Sequence, residues 1–468
     1  MPTNPFTPLT PEHLQALSEV LPDMPLVLPG DSMEKYTRDE TEDLRFAPEA
    51  VALPGSVGEV SKLLAFCHTH RIPVTPRGAG TGLSGGSLAR YGGVMVSLER
   101  MNRIVAIDEA NLQARVEAGV ITQHLIDAAA ERGLLYPIDP ASKGSSFIGG
   151  NIAHGSGGPR VVKYGTIRDY VLNLQVVLPD GEVIWTGADT LKNSTGYSLT
   201  QLFIASEGTL GIITQAVLKL LPKPSADMLM LASFPSNEQA CAAVSAVFRG
   251  GFLPSALEFM ERRGVEWVIE YEGINFGLED DAEAYLLIEV DGDNLDYLYG
   301  QCEGIHAVLE RFGCLEVLLA DTSAQKEGLW RMRRVMGHSV KSNSVYKEED
   351  TVVPRASLPQ LIAGVKRIGH QYGFESVCYG HAGDGNLHIN IIKGAMDDRA
   401  WTEQLPLGIR EIFELAVSLG GTISGEHGIG LVQRDYLGIR YSDRQLAVMR
   451  GVKGVFDPEG IMNPGKIF

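Results

Sequence analysis

Three glycine-rich stretches set the strongest limit on what this chain can become. The first runs Pro76-Arg-Gly-Ala-Gly-Thr-Gly-Leu-Ser-Gly-Gly-Ser87. The second lies at Gly149-Gly-Asn-Ile-Ala-His-Gly-Ser-Gly-Gly158, with Tyr164-Gly165 just beyond. The third is Ser206-Glu-Gly-Thr-Leu-Gly-Ile-Ile213. Such runs let the backbone turn through positive φ and approach a ligand closely. Gly80, Gly82 and Gly85 match the spacing of a dinucleotide fingerprint, but that fingerprint has to open a helix inside a βαβ unit. Here the loop leads into Tyr91-Gly-Gly-Val-Met-Val-Ser-Leu98, which reads as a strand, and no Gly-Lys-Ser/Thr comes after it to make a Walker loop. A nest of backbone N–H groups around a pyrophosphate is one reading of the loop, a surface turn the other. Three such loops together point to one extended ligand enclosed by backbone.

At 468 residues the chain has room for two or three domains. It is 44% hydrophobic with a mean hydropathy of +0.01, so a sizeable core is expected and disorder is not. A net charge of −18 repels nucleic acid and anionic membrane, and an anionic substrate would need a locally positive pocket. The five cysteines, Cys67, Cys241, Cys302, Cys314 and Cys378, form no CxxC. That argues for a reducing compartment without disulfides or an iron–sulfur cluster. The N-terminus shows no basic region followed by an apolar run, and no stretch is long enough to span a bilayer, so a cytoplasmic location is expected.

Thr10-Pro11 reads as a helix start, Val51–Leu53 as a strand, and Ser56…Glu59 as a capping box ahead of a helix with Val60, Leu63, Leu64 and Cys67 at helical spacing. Gly144–Gly158 is expected to be a loop. Lys223-Pro224 is a plausible boundary. Beyond it, two strand–helix–strand units (Met228–Met260 and Ala284–Leu319) suggest an antiparallel sheet with helices on one face.

Gly380-His-Ala-Gly-Asp-Gly-Asn-Leu-His-Ile-Asn390 carries the second informative pattern. On a strand, His388 and Asn390 share one face while Leu387, Ile389 and Ile391 take the other. His381 arrives from the preceding glycine-flanked loop. Two imidazoles near one strand suit zinc or manganese. Gly420-Gly-Thr-Ile-Ser-Gly-Glu-His-Gly-Ile-Gly430 adds Glu426 as a third, anionic ligand and His427 as a candidate base. Three protein ligands with open positions mark a catalytic metal; ordinary polar loop histidines are the competing reading. A substrate carboxylate needs a cation, and Leu329-Trp-Arg-Met-Arg-Arg334, on an expected helix, offers three.

These motifs resemble those of the FAD-linked D-2-hydroxyacid dehydrogenases, the group of the glycolate oxidase catalytic subunit, D-lactate dehydrogenase and D-2-hydroxyglutarate dehydrogenase. The resemblance covers nearly the whole chain. It implies an α+β architecture: a two-part FAD-binding type-4 domain of the PCMH-like, vanillyl-alcohol-oxidase-like kind (48–223) after an N-terminal helical segment (1–47), an α+β cap with an antiparallel sheet (224–420), and a C-terminal segment (421–468) returning to the flavin. By resemblance, non-covalent FAD is held by Pro76, Arg77, Gly78, Ala79, Gly80, Thr81, Gly82, Gly150, Asn151, Gly158, Tyr164, Gly165, Glu207, Gly208, Gly211, Ile213 and Asn463. His154-Gly155-Ser156 departs from the family, which usually carries Glu-Asn or Thr-Asn there. The divalent metal falls to His381, His388 and Glu426, general base catalysis to His427, and substrate binding to Arg333, Lys347 and Asn390, with a gap needed to align Lys347.

The implied function is oxidation of a small D-2-hydroxy acid, glycolate or D-lactate, to the 2-keto acid by hydride transfer to flavin N5. Four other readings stay open. They are a D-2-hydroxyglutarate dehydrogenase, a non-catalytic flavin-binding subunit that passes electrons within a complex, a metal hydrolase without flavin, and a metal-free flavoenzyme related to alkylglycerone-phosphate synthase. Electrons would leave to an acceptor protein, a quinone or partner subunits, iron–sulfur proteins among them. A homodimer, or attachment to the inner membrane through a partner, fits equally; nucleic acid does not.

Overall fold

The computed structural model describes residues 5–273 and 281–468. The chain divides into two compact units. One takes the chain up to Gly157, Thr166–Lys223 and Glu426–Phe468; the other takes Gly158–Gly165 and Pro224–Gly425. Among the described residues no helix is long and apolar enough to cross a membrane.

Two sheets organise the first unit. A four-stranded sheet has the order Leu26–Val27, Ala50–Ala52, Val94–Ser97, Val74–Arg77, the last three strands parallel. The helix Val57–His70 links Ala50–Ala52 to Val74–Arg77, which lie on either side of Val94–Ser97. Val60, Leu63, Leu64 and Cys67 are its fully buried face, as their spacing predicts. Each of the three aliphatic side chains contributes about 1.5–3 kcal/mol by leaving water. The expected capping box is half formed. The Ser56 hydroxyl accepts from Glu59 N at 3.3 Å, but the Glu59 carboxylate takes Gly55 N at 2.6 Å, one residue too early to close the box. A second, antiparallel sheet has the order Ile104–Asp108, Gln113–Glu117, Ile212–Lys219, Val171–Val177, Val183–Trp185.

The glycine stretches connect these strands. The first leaves the end of Val74–Arg77 and reaches Val94–Ser97 without a helix between, which is why the dinucleotide fingerprint is a coincidence of spacing. The second contains a helix, Ile148–His154, where a loop was expected. A Cβ on Gly149 would stand 2.6 Å from the Ala118 Cβ, so this glycine serves close helix–strand packing. The third turns sharply enough to hold Ala205 and Glu207 at φ 62° and 51°. Met462, near the C-terminus, pairs with Val74 in parallel, and Asn463 N donates to Val74 O at 2.7 Å.

A seven-stranded antiparallel sheet forms the second unit, in the order Glu316–Ala320, Ala226–Phe234, Ala284–Gly292, Ala256–Glu261, Glu375–Gly380, Asn386–Ile392, Tyr346–Val352. Helices cover both faces, not one. Arg262–Glu272, Ser323–Arg334 and Met336–Asn343 pack on Leu229, Leu231, Met260 and Leu287. The alternate residues Met230, Ala232, Leu286 and Ile288 are equally buried, beneath Asn237–Arg249 and Leu295–Glu310. Strands buried on both sides read as continuous apolar runs, so their sequence does not show how many faces are covered. Residues 158–165 complete this unit. Arg160 pairs with Glu289 at 3.0 Å, Tyr164 OH donates to Asp291 at 2.7 Å, and Lys163 pairs with Asp291.

Candidate active site

Two adjoining hollows open in the first unit. Pro76, Arg77, Gly78, Gly150, Glu207, Gly208, Gly211 and Ile213 line one of them. Gly78, Ala79, Gly80, Thr81, Gly82, Gly150 and Asn151 line the other, together with Glu426 and His427. Gly78, Ser87, Gly150 and His154 border both. The three glycine stretches therefore converge, as expected. Asn463 braces them: its amide donates to Gly86 O at 2.8 Å and Glu207 O at 2.6 Å. Gly158, Tyr164 and Gly165 are not brought into these hollows; they group with the second unit, where the Tyr164 hydroxyl is spent on Asp291. The Arg77 guanidinium is largely committed to the protein. It donates to Lys35 O at 3.0 Å, Arg38 O at 2.8 Å and Ser87 Oγ at 3.2 Å, fastening the N-terminal stretch. Gly80, at φ 77°, lies against it, and a Cβ there would fall 2.0 Å from Arg77 Nη2.

The hollows fit a large cofactor that approaches backbone. A Cβ on Gly78 would already touch Gly150 Cα at 3.5 Å. His154 borders both hollows, and its Nδ1 is buried without a hydrogen-bond partner among the described residues.

Glu207 has a role its sequence context does not signal. Its carboxylate accepts from Ile429 N at 2.7 Å and Gly430 N at 2.8 Å. Leu431 N donates to Ser84 O at 2.8 Å. The backbone just after Glu426 and His427 is thus pinned to the first and third glycine stretches. Gly428, at φ 80°, has no room for a side chain: its Cβ would meet Glu207 Oε1 at 2.9 Å and His154 Nδ1 at 3.1 Å.

In the second unit one sheet face carries a buried polar cluster. The register pairs Asn390 with Val377 and His388 with Tyr379 on one side, and Asn390 with Glu348 and His388 with Asp350 on the other. Directly opposed residues of an antiparallel pair share a face. His388 and Asn390 therefore lie together, with Tyr379, Glu348 and Asp350. His381 joins them from the loop, its ring 5.4 Å from that of His388 and nearly perpendicular to it. Arg333 enters from the helix Ser323–Arg334, its guanidinium 5.0 Å from the Tyr379 ring. Lys347 is the correction. It opposes Ile391, so it projects to the other face, and Glu348 occupies the place where a second cation was expected. Successive residues of a strand point to opposite faces, so Lys347 and Glu348 do not enter the cluster together.

Glu258 organises this cluster and was missed in the sequence, although an acid inside the apolar run Ala256–Glu261 is a readable signal. Fully buried, it accepts from Arg333 Nε at 2.7 Å and meets His381 Nδ1 at 2.8 Å. Burial alone would push its carboxyl pKa up, but His381 and Arg333 outweigh burial and hold it below the usual range. With Nδ1 turned to a carboxylate, His381 presents Nε2 as its ligand edge, the usual arrangement of a metal-binding histidine whose far nitrogen is held by an acid. Asp350, also fully buried, accepts from Asn386 Nδ2 at 2.6 Å and Gly425 N at 2.8 Å, fixing the chain just before Glu426. Two imidazoles amid carboxylates suit a borderline divalent metal.

Comparison with known proteins bears on the chemistry. The family model described as FAD linked oxidases, C-terminal domain, matches residues 223–467, and that described as FAD binding domain matches residues 48–187. The chain belongs to the FAD-linked oxidases. This FAD-linked oxidase is 38% identical to a D-lactate dehydrogenase of Anaerostipes hadrus, covering 99% of this chain and 98% of that one. It is 39% identical to the glycolate oxidase subunit GlcD of Bacillus subtilis strain 168, covering 92% of each. A D-2-hydroxyglutarate dehydrogenase of Stutzerimonas stutzeri is 34% identical over 95% of this chain and 97% of that one. Among solved structures, p-cresol methylhydroxylase with substrate bound matches with a TM-score of 0.78 at 18% identity, over 97% of this chain and 96% of that one, a likeness of fold. The family expected from the motifs is thus the family found, and this FAD-linked oxidase is an oxidoreductase with an FAD-binding domain.

Proposed function

We propose that this chain oxidises a small D-2-hydroxy acid to the 2-keto acid. The observation that carries the reading is the buried cluster of Arg333, Glu258, His381, His388 and Asn390 on one sheet face, in a chain whose full-length relatives are named for D-lactate, glycolate and D-2-hydroxyglutarate. Arg333 holds the substrate carboxylate: Nε is engaged by Glu258, and Nη2 is buried without an acceptor among the described residues. Asn390, completely buried beside Tyr379, fixes the acid's orientation. His427 takes the proton of the C2 hydroxyl, a contribution of roughly 10²–10⁴-fold for a well-placed base. His381, His388 and Glu426 are the residues to hold a divalent metal, zinc or manganese, which supplies Lewis acidity toward the hydroxyl when bound. FAD, when bound along the glycine stretches, supplies the two-electron acceptor. Glycolate oxidase relatives are named as subunits, which favours a partner protein as the onward acceptor.

The test is anaerobic bleaching of the flavin by glycolate, D- and L-lactate and D-2-hydroxyglutarate. Reduction by a D acid or by glycolate is expected; reduction by L-lactate alone would contradict the reading. His427→Ala should stay yellow yet fail to bleach, and full activity in that variant would remove the base assignment.

A further inference from the structure

We propose that the imidazole of His154 donates a hydrogen bond to the redox-active ring of bound FAD and thereby raises its reduction potential; the inference rests on the functional reading above. Gly78, Ser87, Gly150 and His154 border both hollows. Two of these have no side chain. The Ser87 hydroxyl is already used, accepting from Arg77 Nη1 at 3.2 Å and donating to Asp39 Oδ2 at 3.2 Å. His154 is different. Its Nε2 stands against Gly86, which lines one hollow, and Gly82, which lines the other, 3.2 Å and 3.3 Å from where their Cβ atoms would lie. Its Nδ1 is buried on the far side of the ring, without a hydrogen-bond partner among the described residues. A neutral imidazole has one N–H and one bare nitrogen. Burial without a partner is tolerated better by an acceptor than by an N–H, so the proton belongs on Nε2, where it is offered to the hollows.

The imidazole is held in place by its neighbours. A Cβ on Gly86 would fall 2.9 Å from His154 Cε1, and one on Gly428 would fall 3.1 Å from Nδ1, so both positions leave room for the ring only as glycine. The carboxylate of Glu207, packed against the same two glycines, takes Ile429 N and Gly430 N instead of His154. His427, the base of the functional reading, lines one hollow together with His154. The ring of FAD has to reach the carbon that loses its hydride, so it belongs in that hollow. Reduction makes the ring richer in electrons. A donor's bond to a charged acceptor is roughly twice as strong as to a neutral one, so a bond from Nε2 favours the reduced form. Hydrogen bonds to the ring are one of the means by which a protein tunes a flavin.

The test is the midpoint potential of the flavin in the FAD-loaded full chain, titrated anaerobically with dithionite against reference dyes, so that no hydroxy acid is needed. His154→Leu should lower the equilibrium constant for reduction roughly tenfold, a potential about 30 mV more negative for a two-electron couple. His154→Gln, whose amide still offers an N–H, should recover most of that shift. An unchanged potential in His154→Leu overturns the proposal. So does an equal shift in both variants, which would give His154 a packing role alone. Where a variant fails to fold or to hold FAD, the wild type decides. Carbethoxylation of His154, read by peptide mass spectrometry, should be slower with FAD bound than in the FAD-stripped chain, and equal rates overturn the proposal. An unshifted potential in an enzyme that D-lactate still bleaches fails this inference alone. A chain that no 2-hydroxy acid bleaches fails the functional reading, and with it the placement of the ring beside His154.

Discussion

At the residue scale, single atoms carry the tightest constraints. Among the described residues, Glu258 is the carboxylate bonded to both Arg333 and His381. Glu258→Gln keeps its shape but leaves the Arg333 charge buried without compensation, a loss of about 3–5 kcal/mol when one partner of a buried ion pair is removed. A fall in the denaturant midpoint is therefore expected, together with a KM for the hydroxy acid that rises more than kcat falls. An unchanged KM would show that Glu258 does not set the position of Arg333. Gly80→Ala brings a Cβ to 2.0 Å from Arg77 Nη2 at a φ of 77°. The strained backbone alone costs about 1–3 kcal/mol. The purified variant should hold less flavin, read from its visible absorbance per polypeptide.

At the scale of elements, the C-terminal segment is fixed by a small set of polar anchors. Glu207 holds the backbone after His427, Asn463 ties the first glycine stretch to the third, and Lys453 donates to Thr209 O at 2.6 Å and Met462 O at 2.9 Å. Lys466 donates to Leu88 O at 2.6 Å and Asn463 Oδ1 at 3.1 Å. Burial pulls its ammonium pKa down to about 7, against the opposing charges of Glu207 and Asp39. The folded chain releases this proton near pH 7, whereas the unfolded chain keeps it to about 10.5. Between those values the unfolded state binds more protons, so the contribution of Lys466 to stability grows as pH rises. Urea midpoints at pH 7, 8 and 9 should climb in the wild type, and Lys466→Met should flatten that part of the slope.

At the scale of the whole molecule, the chain does not fill its units in sequence order. Residues 158–165 leave the first unit to complete the second, where Arg160, Lys163 and Tyr164 satisfy the buried Glu289 and Asp291. A fragment of residues 224–425 keeps both acids and loses all three partners. It should therefore melt well below the second unit of the intact chain, by circular dichroism. In the full chain, Arg160→Ala should reproduce part of the loss. A fragment as stable as the whole would mean that these ion pairs contribute little.

The sequence by itself determined a good deal. Glycines at Gly80, Gly82 and Gly85 ahead of a strand, rather than a helix, argued against a βαβ dinucleotide fingerprint, because the patterning of neighbouring residues shows which element a loop enters. Alternation in Asn386–Ile392 put His388 and Asn390 on one face, because a strand's period of two is written residue by residue. Other features were decided only by tertiary structure. Glu258 meets Arg333 across 75 residues, and Glu207 meets Gly430 across 223; no local pattern encodes such distant pairings. Lys347 and Glu348 are adjacent in sequence, and which of them faces the cluster depends on the register of Tyr346–Val352 against its neighbour. That register is set by packing between strands, and it turned an expected second cation into a carboxylate.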